Sequence, residues 1–309
     1  MEDTKIYIDP STNRKGNILN ERIKTFEGIP LFSMIELNLL ARCNRTCHFC
    51  PVSSKSFYED FYNNDRSGKI EIELFEKLLK DLVDIDYNGM IMFSGLSEPL
   101  LHPKIYDLIK SSKELLPKTL IEINSNGDTV NKKRLEKLFT SGLDTLSISL
   151  YDGPQQITYF NELKKELGIA DEKMILRRRY FENDNYGLTI SNRAGLIDSN
   201  NYRSKGEKNI DTLPLKKSCY YPFYMLKIDF NGDVIICTHD WKKEGKIGNI
   251  NKDTIFKIWT NNHIKSVRKK LANKKRNFSP CNKCDVYGDV MGKEHFDLWN
   301  TIYLDNDGK

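Results

Sequence analysis

The 309-residue sequence predicts an α/β fold, a parallel sheet backed by helices, followed by a smaller unit built on a β-hairpin and a helix. Three observations carry this expectation. Segments with apolar residues at every second position alternate with segments of helical periodicity from residue 31 onward. The chain is long enough for one large core and a second, smaller one. Its seven cysteines divide into a group of three (Cys43, Cys47, Cys50) and a group of four (Cys219, Cys237, Cys281, Cys284), one in each unit.

Taken in order, residues 1–30 read as a polar extension with little periodicity, marked by Pro10, Gly16 and Pro30. "LFSMIELNLL" (31–40) reads as a strand, and "IEIELFEKLLKDLVDI" as a helix with Phe75, Leu78, Leu79 and Leu82 on one face. "GMIMFS", "KTLIEIN" and "DTLSISL" continue the strands, while "PKIYDLIKSS" and "NKKRLEKLFTSG" continue the helices, with turn residues such as Asn126-Gly127 between them. Along the strands one face is polar: Glu36, Asn38, Glu122, Asn124, Ser147 and Ser149. A structural barrel fills its interior with branched apolar side chains, so polar residues there suit a ligand, although an exposed sheet face gives the same alternation. "DSNNYRSKGEKNIDTLPLKKS" reads as a linker, and Asn231-Gly232 as a type I′ hairpin turn between "YMLKIDF" and "DVIIC". "NKDTIFKIWTNNHIKSVRKKL" reads as one helix returning the chain to "CNKC". The expected division is an extension at 1–30, a core at 31–205, a cysteine-bearing unit at 206–290 and a tail at 291–309.

Composition narrows the function. A net charge of +5 hints at an acidic ligand and is far from the signature of a nucleic-acid binder. The N-terminus lacks a basic-then-apolar signal region, and no apolar run reaches the roughly 18 residues that span a bilayer, so a cytoplasmic, non-membrane protein is expected. A reducing compartment disfavours disulfides, and thiols that were merely buried would be scattered.

The first cysteine group has the spacing C-x3-C-x2-C. Three thiolates on a 4Fe-4S cluster leave one iron open to a small chelating ligand. A zinc site is the alternative, with His48 as the fourth ligand, but structural zinc prefers four ligands in matched pairs. The four later cysteines come from three segments that the hairpin and helix bring together, and on spacing alone they suit zinc or a cluster.

With Phe49 as the aromatic, "CNRTCHFC" resembles the C-x3-C-x-aromatic-C motif of the radical S-adenosylmethionine (radical SAM) superfamily. The resemblance implies a partial (β/α)6 TIM-like barrel. It also implies a 4Fe-4S cluster whose open iron chelates S-adenosylmethionine, and cleavage of that cofactor to a 5′-deoxyadenosyl radical. "SGLSEP" (94–99) stands where the family has G-G-E-P, which makes Glu98 the contact for the methionine amino group, with Ser97 in place of a glycine. Phe49, Asn124 and Ser149 join it as cofactor-binding candidates, Ser149 at the ribose; the family's glycine-containing adenine motif is absent from "KMILRRRY". The second cysteine group resembles the twitch domain, a short form of the SPASM domain, which holds an auxiliary 4Fe-4S cluster. Two clusters then account for every cysteine. A flavodoxin- or ferredoxin-type electron donor follows from the same resemblance.

Four segments, "LFSMIELNLLARCNRTCHFCP", "SEPLL", "SNRAGLIDSN" and "GNINKDTIFKIW", are similar to those of dehydrogenases in this family that oxidise a ring hydroxyl of an aminocyclitol. That likeness implies oxidation of a secondary alcohol of a small polyol, sugar or aminocyclitol, with the auxiliary cluster as electron acceptor and Arg193 beside the hydroxyl. Arginine stays protonated, so its expected part is to stabilise a developing alkoxide. Thr238, His239 and Asp240 depart from the pattern; His239, with a pKa near neutral, is a candidate to orient or deprotonate the hydroxyl, or else a structural histidine. Arg177–Arg179 offer a grip for phosphate, or form a solvated charge run. An epimerase on the same scaffold needs a hydrogen donor, and no thiol is left over, although a tyrosine would serve. A peptide-modifying enzyme commonly adds a peptide-binding domain, and a non-catalytic zinc module would lack iron.

Overall fold

A computed structural model describes residues 10–62, 65–180, 190–202 and 212–307. The first nine residues of the expected extension and residues 203–211 of the expected linker lie outside them. The described chain opens with helix α1 (Thr12–Glu21) and a hairpin, β1 (Thr25–Phe26) with β2 (Ile29–Pro30), where the sequence predicted a polar extension without periodicity. The anchor of α1 is ionic and distant in sequence. Arg14 Nη1 lies 2.7 Å and Lys15 Nζ 2.8 Å from the Glu122 carboxylate, and Arg14 Nη2 donates to Thr145 Oγ1 at 2.6 Å.

Strand β3 (Met34–Leu37) leads through the cysteine loop to α2 (Lys55–Tyr62) and α3 (Ile72–Asp84). The predicted face of α3, Phe75, Leu78, Leu79 and Leu82, is buried. Then β4 (Met90–Phe93), α4 (Ile105–Leu115), β5 (Leu120–Ser125), α5 (Lys132–Thr140), β6 (Thr145–Leu150), α6 (Gln155–Glu166) and β7 (Met174–Arg178) follow in the expected alternation. Every residue of β6 is buried, because Leu146, Ile148 and Leu150 belong to the apolar core while the polar residues turn to the lumen.

After the linker come α7 (Tyr221–Tyr224), β8 (Met225–Ile228), β9 (Asp233–Ile235), β10 (Lys246–Asn249), α8 (Ile255–Trp259), α9 (Asn262–Ala272) and α10 (Lys293–Asp307). One eight-stranded sheet runs β10-β9-β8-β3-β4-β5-β6-β7. Six of its strands are parallel, and β8 pairs with β3 from Met34↔Met225 to Leu37↔Ile228. The sheet therefore crosses the expected boundary at 205/206, and the sixth barrel strand comes from the C-terminal unit. Strands β7 and β8 end the parallel run without pairing to each other, which gives the partial barrel.

Three local expectations are corrected. The hairpin turn is not type I′: only Gly232 has positive φ (+86°), and its N–H donates to Asp229 O at 2.8 Å, a type I turn closed by a glycine bulge. The single returning helix is two, because Asn261 Oδ1 accepts from Ile264 N at 3.1 Å and starts a new helix just after α8. The segment read as a tail is helix α10, which buries His295 and Trp299. The Arg268 guanidinium lies 3.7 Å from the ring centroid of Trp259 and 4.0 Å from that of Trp299, and His295 Nε2 meets Ser33 Oγ at 2.7 Å.

Candidate active site

The cysteine loop leaves the C-terminal end of β3 and turns back on itself, with Cys50 N donating to Cys47 O at 2.9 Å. Cys43, Cys47 and Cys50 all face one cavity of about 800 Å³ in the barrel lumen. Two donors aim at the Cys43 sulfur: Arg45 N at 3.4 Å and Asn126 Nδ2 at 3.8 Å. Phe49 stacks on Tyr151 with centroids 6.0 Å apart, and Arg45, bound to Asp128 and Asp152, lies over the same ring, 5.0 Å from its centroid. Burial pushes the free Cys47 thiol up to about 11, so a positive group in the loop is what would hold it as thiolate.

Behind the loop, "SGLSEP" is tied down on both sides. Glu98 accepts from Asn126 N at 2.7 Å, Ser125 Oγ at 2.9 Å and Leu100 N at 3.1 Å, and burial raises its carboxyl to about 7. Ser97, the departure from glycine, donates to Asn38 Oδ1 at 2.7 Å, and Asn38 in turn donates to Asp229 at 2.6 Å. Asn38 therefore serves the loop rather than the cavity, and Glu122 is occupied by α1 below the lumen. Of the six polar strand positions, Glu36, Asn124 and Ser149 line the cavity. Asn124 Nδ2 donates to Ser94 Oγ at 3.2 Å, while its buried Oδ1 has no partner among the described residues.

Arg193 enters from the segment after β7. Asn192 N donates to both Asp285 oxygens at 2.9 Å, which fixes this segment against the residue after Cys284. Arg193 adopts φ +50°, its guanidinium lies 5.0 Å from the Trp241 ring, and its buried Nε has no partner among the described residues. His239 sits beside it, 3.1 Å from Ser191 Oγ and 3.2 Å from Tyr221 OH. Its pKa is not near neutral: burial, with Arg193 and Lys227 nearby, lowers it to about 3 and leaves the ring uncharged. Arg177 and Arg179 line the cavity, whereas Arg178 is fully buried outside its lining. The run is neither wholly solvated nor a single grip, because the pleat sends alternate residues to opposite faces.

The other four cysteines, from the chain before α7, the end of the hairpin and the final C-x2-C, surround one small void. The approach is close enough that a Cβ on Gly288 (φ +78°) would lie 2.3 Å from Cys219 Sγ. Val286 N donates to Cys284 Sγ at 3.5 Å, and Arg276 bonds the carbonyls of Lys217, Ser218, Val286 and Tyr287 around the group. Among the described residues no three His, Cys, Asp or Glu side chains close on a single metal ion. Four thiols around one void form a donor set that fits an iron-sulfur cluster or a zinc ion. Tyr221, His239 and Val286 line both this void and the large cavity, so one layer of residues separates the two.

Sequence reasoning missed Tyr151, Tyr221, Trp241 and Asp285, and also Lys227, fully buried and 2.8 Å from Glu36 Oε1, which Thr238 Oγ1 also reaches at 2.6 Å. Tyr221 and Asp285 lie within two residues of a cysteine, the one signal that could have found them.

The radical SAM superfamily matches residues 37–177, and an iron-sulfur cluster-binding SPASM domain matches 219–285. An S-adenosyl-L-methionine-dependent 2-deoxy-scyllo-inosamine dehydrogenase from Niallia circulans is 29% identical over 268 residues, covering 86% of this chain and 98% of its own. The crystal structure of BtrN with AdoMet and 2-DOIA is similar at TM-score 0.65 and 28% identity, covering 83% of this chain and 94% of that one. A tungsten-containing aldehyde ferredoxin oxidoreductase cofactor-modifying protein of Pyrococcus furiosus is 29% identical over 114 residues, 37% of this chain and 29% of its own. No helix among the described residues is long and apolar enough to cross a membrane.

Proposed function

The chain is a radical SAM oxidoreductase with a SPASM-type iron-sulfur domain, and from that premise we propose that it dehydrogenates a secondary alcohol of a small polyol, sugar or cyclitol. The observation that carries this reading is the shared wall. A cavity that meets Cys43, Cys47 and Cys50 shares the wall of Tyr221, His239 and Val286 with the void among Cys219, Cys237, Cys281 and Cys284. A group held there is near enough to accept an electron and has no ligand position facing the substrate.

In this reading Cys43, Cys47 and Cys50 hold the 4Fe-4S cluster that binds S-adenosylmethionine, and the other four cysteines hold a second one. When bound, these groups would supply a radical that takes a hydrogen atom from the carbinol carbon and an acceptor for the electron left behind, while the hydroxyl proton passes to solvent in the cavity. The chain supplies the rest. Glu98, with Asn124, Ser149 and Phe49, shapes the cofactor end, and the partnerless Asn124 Oδ1 is an acceptor awaiting a donor. Arg193, with its unmatched Nε and its stack on Trp241, holds positive charge where an alkoxide would develop. His239, uncharged and engaged at both ring nitrogens by Ser191 and Tyr221, orients the substrate hydroxyl through those two hydroxyl groups. A flavodoxin- or ferredoxin-type carrier reduces the first cluster, which places the reaction in the cytoplasm.

The test is Cys281→Ser together with Cys284→Ser. The reading expects cofactor cleavage and hydrogen abstraction to persist while ketone formation is lost; ketone formed at the wild-type rate would remove the acceptor role. One observation favours a second reading, epimerisation: Tyr221 lines the cavity and is the phenol a hydrogen return would need. Solvent deuterium in a recovered, inverted alcohol would support it.

A further inference from the structure

Strands β3 and β8 bring two opposite charges together on one rung of the sheet. Glu36 and Lys227 are direct partners in the parallel register, and Lys227 Nζ donates to Glu36 Oε1 at 2.8 Å. Lys227 is fully buried, a place a lysine keeps only when it is paired. Thr238 Oγ1 donates to the same oxygen at 2.6 Å. Glu36 and Trp241 line the large cavity; Lys227 does not, but its Nζ lies 5.8 Å from the Trp241 ring centroid. The other two carboxylates of the cavity wall are matched as well. Glu98 accepts from Asn126 N, Ser125 Oγ and Leu100 N, and both Asp285 oxygens accept from Asn192 N. Arg193, over the same Trp241 ring, has no carboxylate partner among the described residues, and its buried Nε has no hydrogen-bond partner there.

A carboxylate facing a cavity is a natural grip for an ammonium, because opposite charges in contact inside a protein attract strongly. A lysine held 2.8 Å from that carboxylate cancels most of the attraction felt by a ligand beside it. Glu36 then offers a hydrogen-bond acceptor without net charge, and Arg193 makes its surroundings positive. Resting on the reading of this cavity as the substrate site, we infer that the substrate presents hydroxyl groups and no ammonium to the Glu36 side of the cavity, and that Lys227 sets this choice. Lys227 acts through Glu36 and touches no substrate itself, so it is a positioning residue for specificity. The aminocyclitols among the substrates expected from the sequence are rejected by a charge built into the wall rather than by shape.

Calorimetric titration of the anaerobically reconstituted holoenzyme, saturated with S-adenosylhomocysteine at about pH 6 so that the amines are protonated, compares scyllo-inositol with scyllo-inosamine and glucose with glucosamine. The neutral member of at least one pair should bind about tenfold or more tightly than its amine. Lys227→Met keeps the length of the side chain and removes its charge, which frees Glu36 to meet an ammonium. Affinity for the amine should then rise about tenfold or more, while that for the neutral parent stays within about threefold. Adding Glu36→Gln to Lys227→Met should abolish the gain. Amines that bind as tightly as their neutral parents in both pairs, or no binding of either neutral probe, overturn the inference. So does a folded Lys227→Met whose affinity for the amine is unchanged, or one that loses affinity for all four probes alike, which would leave Lys227 a part of the core only. Iron content and circular dichroism identify a variant that fails to fold, in which case Lys227→Gln must show the gain. Because binding is read without turnover, an epimerase outcome leaves this inference standing, and a failed preference for the neutral probe leaves the dehydrogenase reading standing.

Discussion

Replacing Arg14 and Lys15 together by alanine tests whether the N-terminal helix is part of the barrel. Glu122 is 1% exposed, and its carboxylate is matched by these two cations, which hold its pKa below the usual range against the upward push of burial. Without them the carboxylate would sit in the barrel floor uncompensated. Breaking a buried pair in this way costs about 3–5 kcal/mol. The carboxyl can escape part of that by taking a proton, which at pH 7 costs about 3.7 kcal/mol for a group with an ordinary pKa near 4.3. The two routes agree, so a loss of roughly 3–4 kcal/mol is expected, or about 6–16 °C in melting temperature at roughly 2–4 °C per kcal/mol. The sign with pH follows. In the wild type the depressed native pKa keeps the carboxylate's contribution in place at both pH 8 and pH 5, above the unfolded value, whereas in the variant the uncompensated carboxyl takes a proton at a cost that falls with pH, so the two proteins should converge from pH 8 toward pH 5. Anaerobic thermal melts of both proteins at matched iron content, at pH 5 and pH 8, read the effect. A difference under about 0.5 kcal/mol at pH 8, or one that does not shrink at pH 5, would refute the ionic anchor.

Three further outcomes follow. Replacing Cys43, Cys47 and Cys50 by alanine should remove about half the iron and all cleavage of S-adenosylmethionine, measured by iron assay and by 5′-deoxyadenosine release. Glu98→Ala should weaken binding of S-adenosylmethionine and also lower the melting temperature, since the carboxylate holds Leu100 N and Asn126 N; Glu98 is raised to about 7 in the native state, so its contribution to stability is present below the unfolded pKa and is lost as pH rises from about 4.5 toward 7, and Glu98→Gln should flatten that part of the profile. Arg193→Lys should lower kcat by about tenfold or more while cofactor cleavage without substrate continues, because a lysine cannot reproduce the planar stack on Trp241.

Much of the fold was legible because its signals are local. Alternation along Leu146, Ile148 and Leu150 and the helical face of Phe75, Leu78, Leu79 and Leu82 depend only on neighbours in sequence, and so does the spacing of Cys43, Cys47 and Cys50. What escaped depends on partners far along the chain. Helix α1 has a single fully buried apolar residue, Leu19, and an anchor more than a hundred residues away at Glu122, so no periodicity announces it. The sixth barrel strand was visible as a strand in "YMLKIDF", but its parallel pairing with β3 was not. Lys227, in the middle of that strand, is buried because Glu36 from β3 meets it. Helix α10 carries apolar residues without a clear stripe, and its docking depends on distant partners: Arg268 between Trp259 and Trp299, Ser33 at His295, and Tyr220 and Phe223 against Phe296. At the site, His239 was found from its neighbour Cys237, but its low pKa arises from burial and from Arg193, which a sequence does not place beside it.

The central claim is that a hydrogen atom leaves a carbinol carbon and that the remaining electron passes to the four-cysteine site. The direct measurement uses cyclitols and sugars deuterated at their carbinol carbons, offered to reduced enzyme with S-adenosylmethionine, with products followed by mass spectrometry. The account predicts deuterium in 5′-deoxyadenosine and one ketone formed for each cofactor cleaved. Recovery of an inverted alcohol carrying a solvent-derived hydrogen, with no ketone, would contradict it.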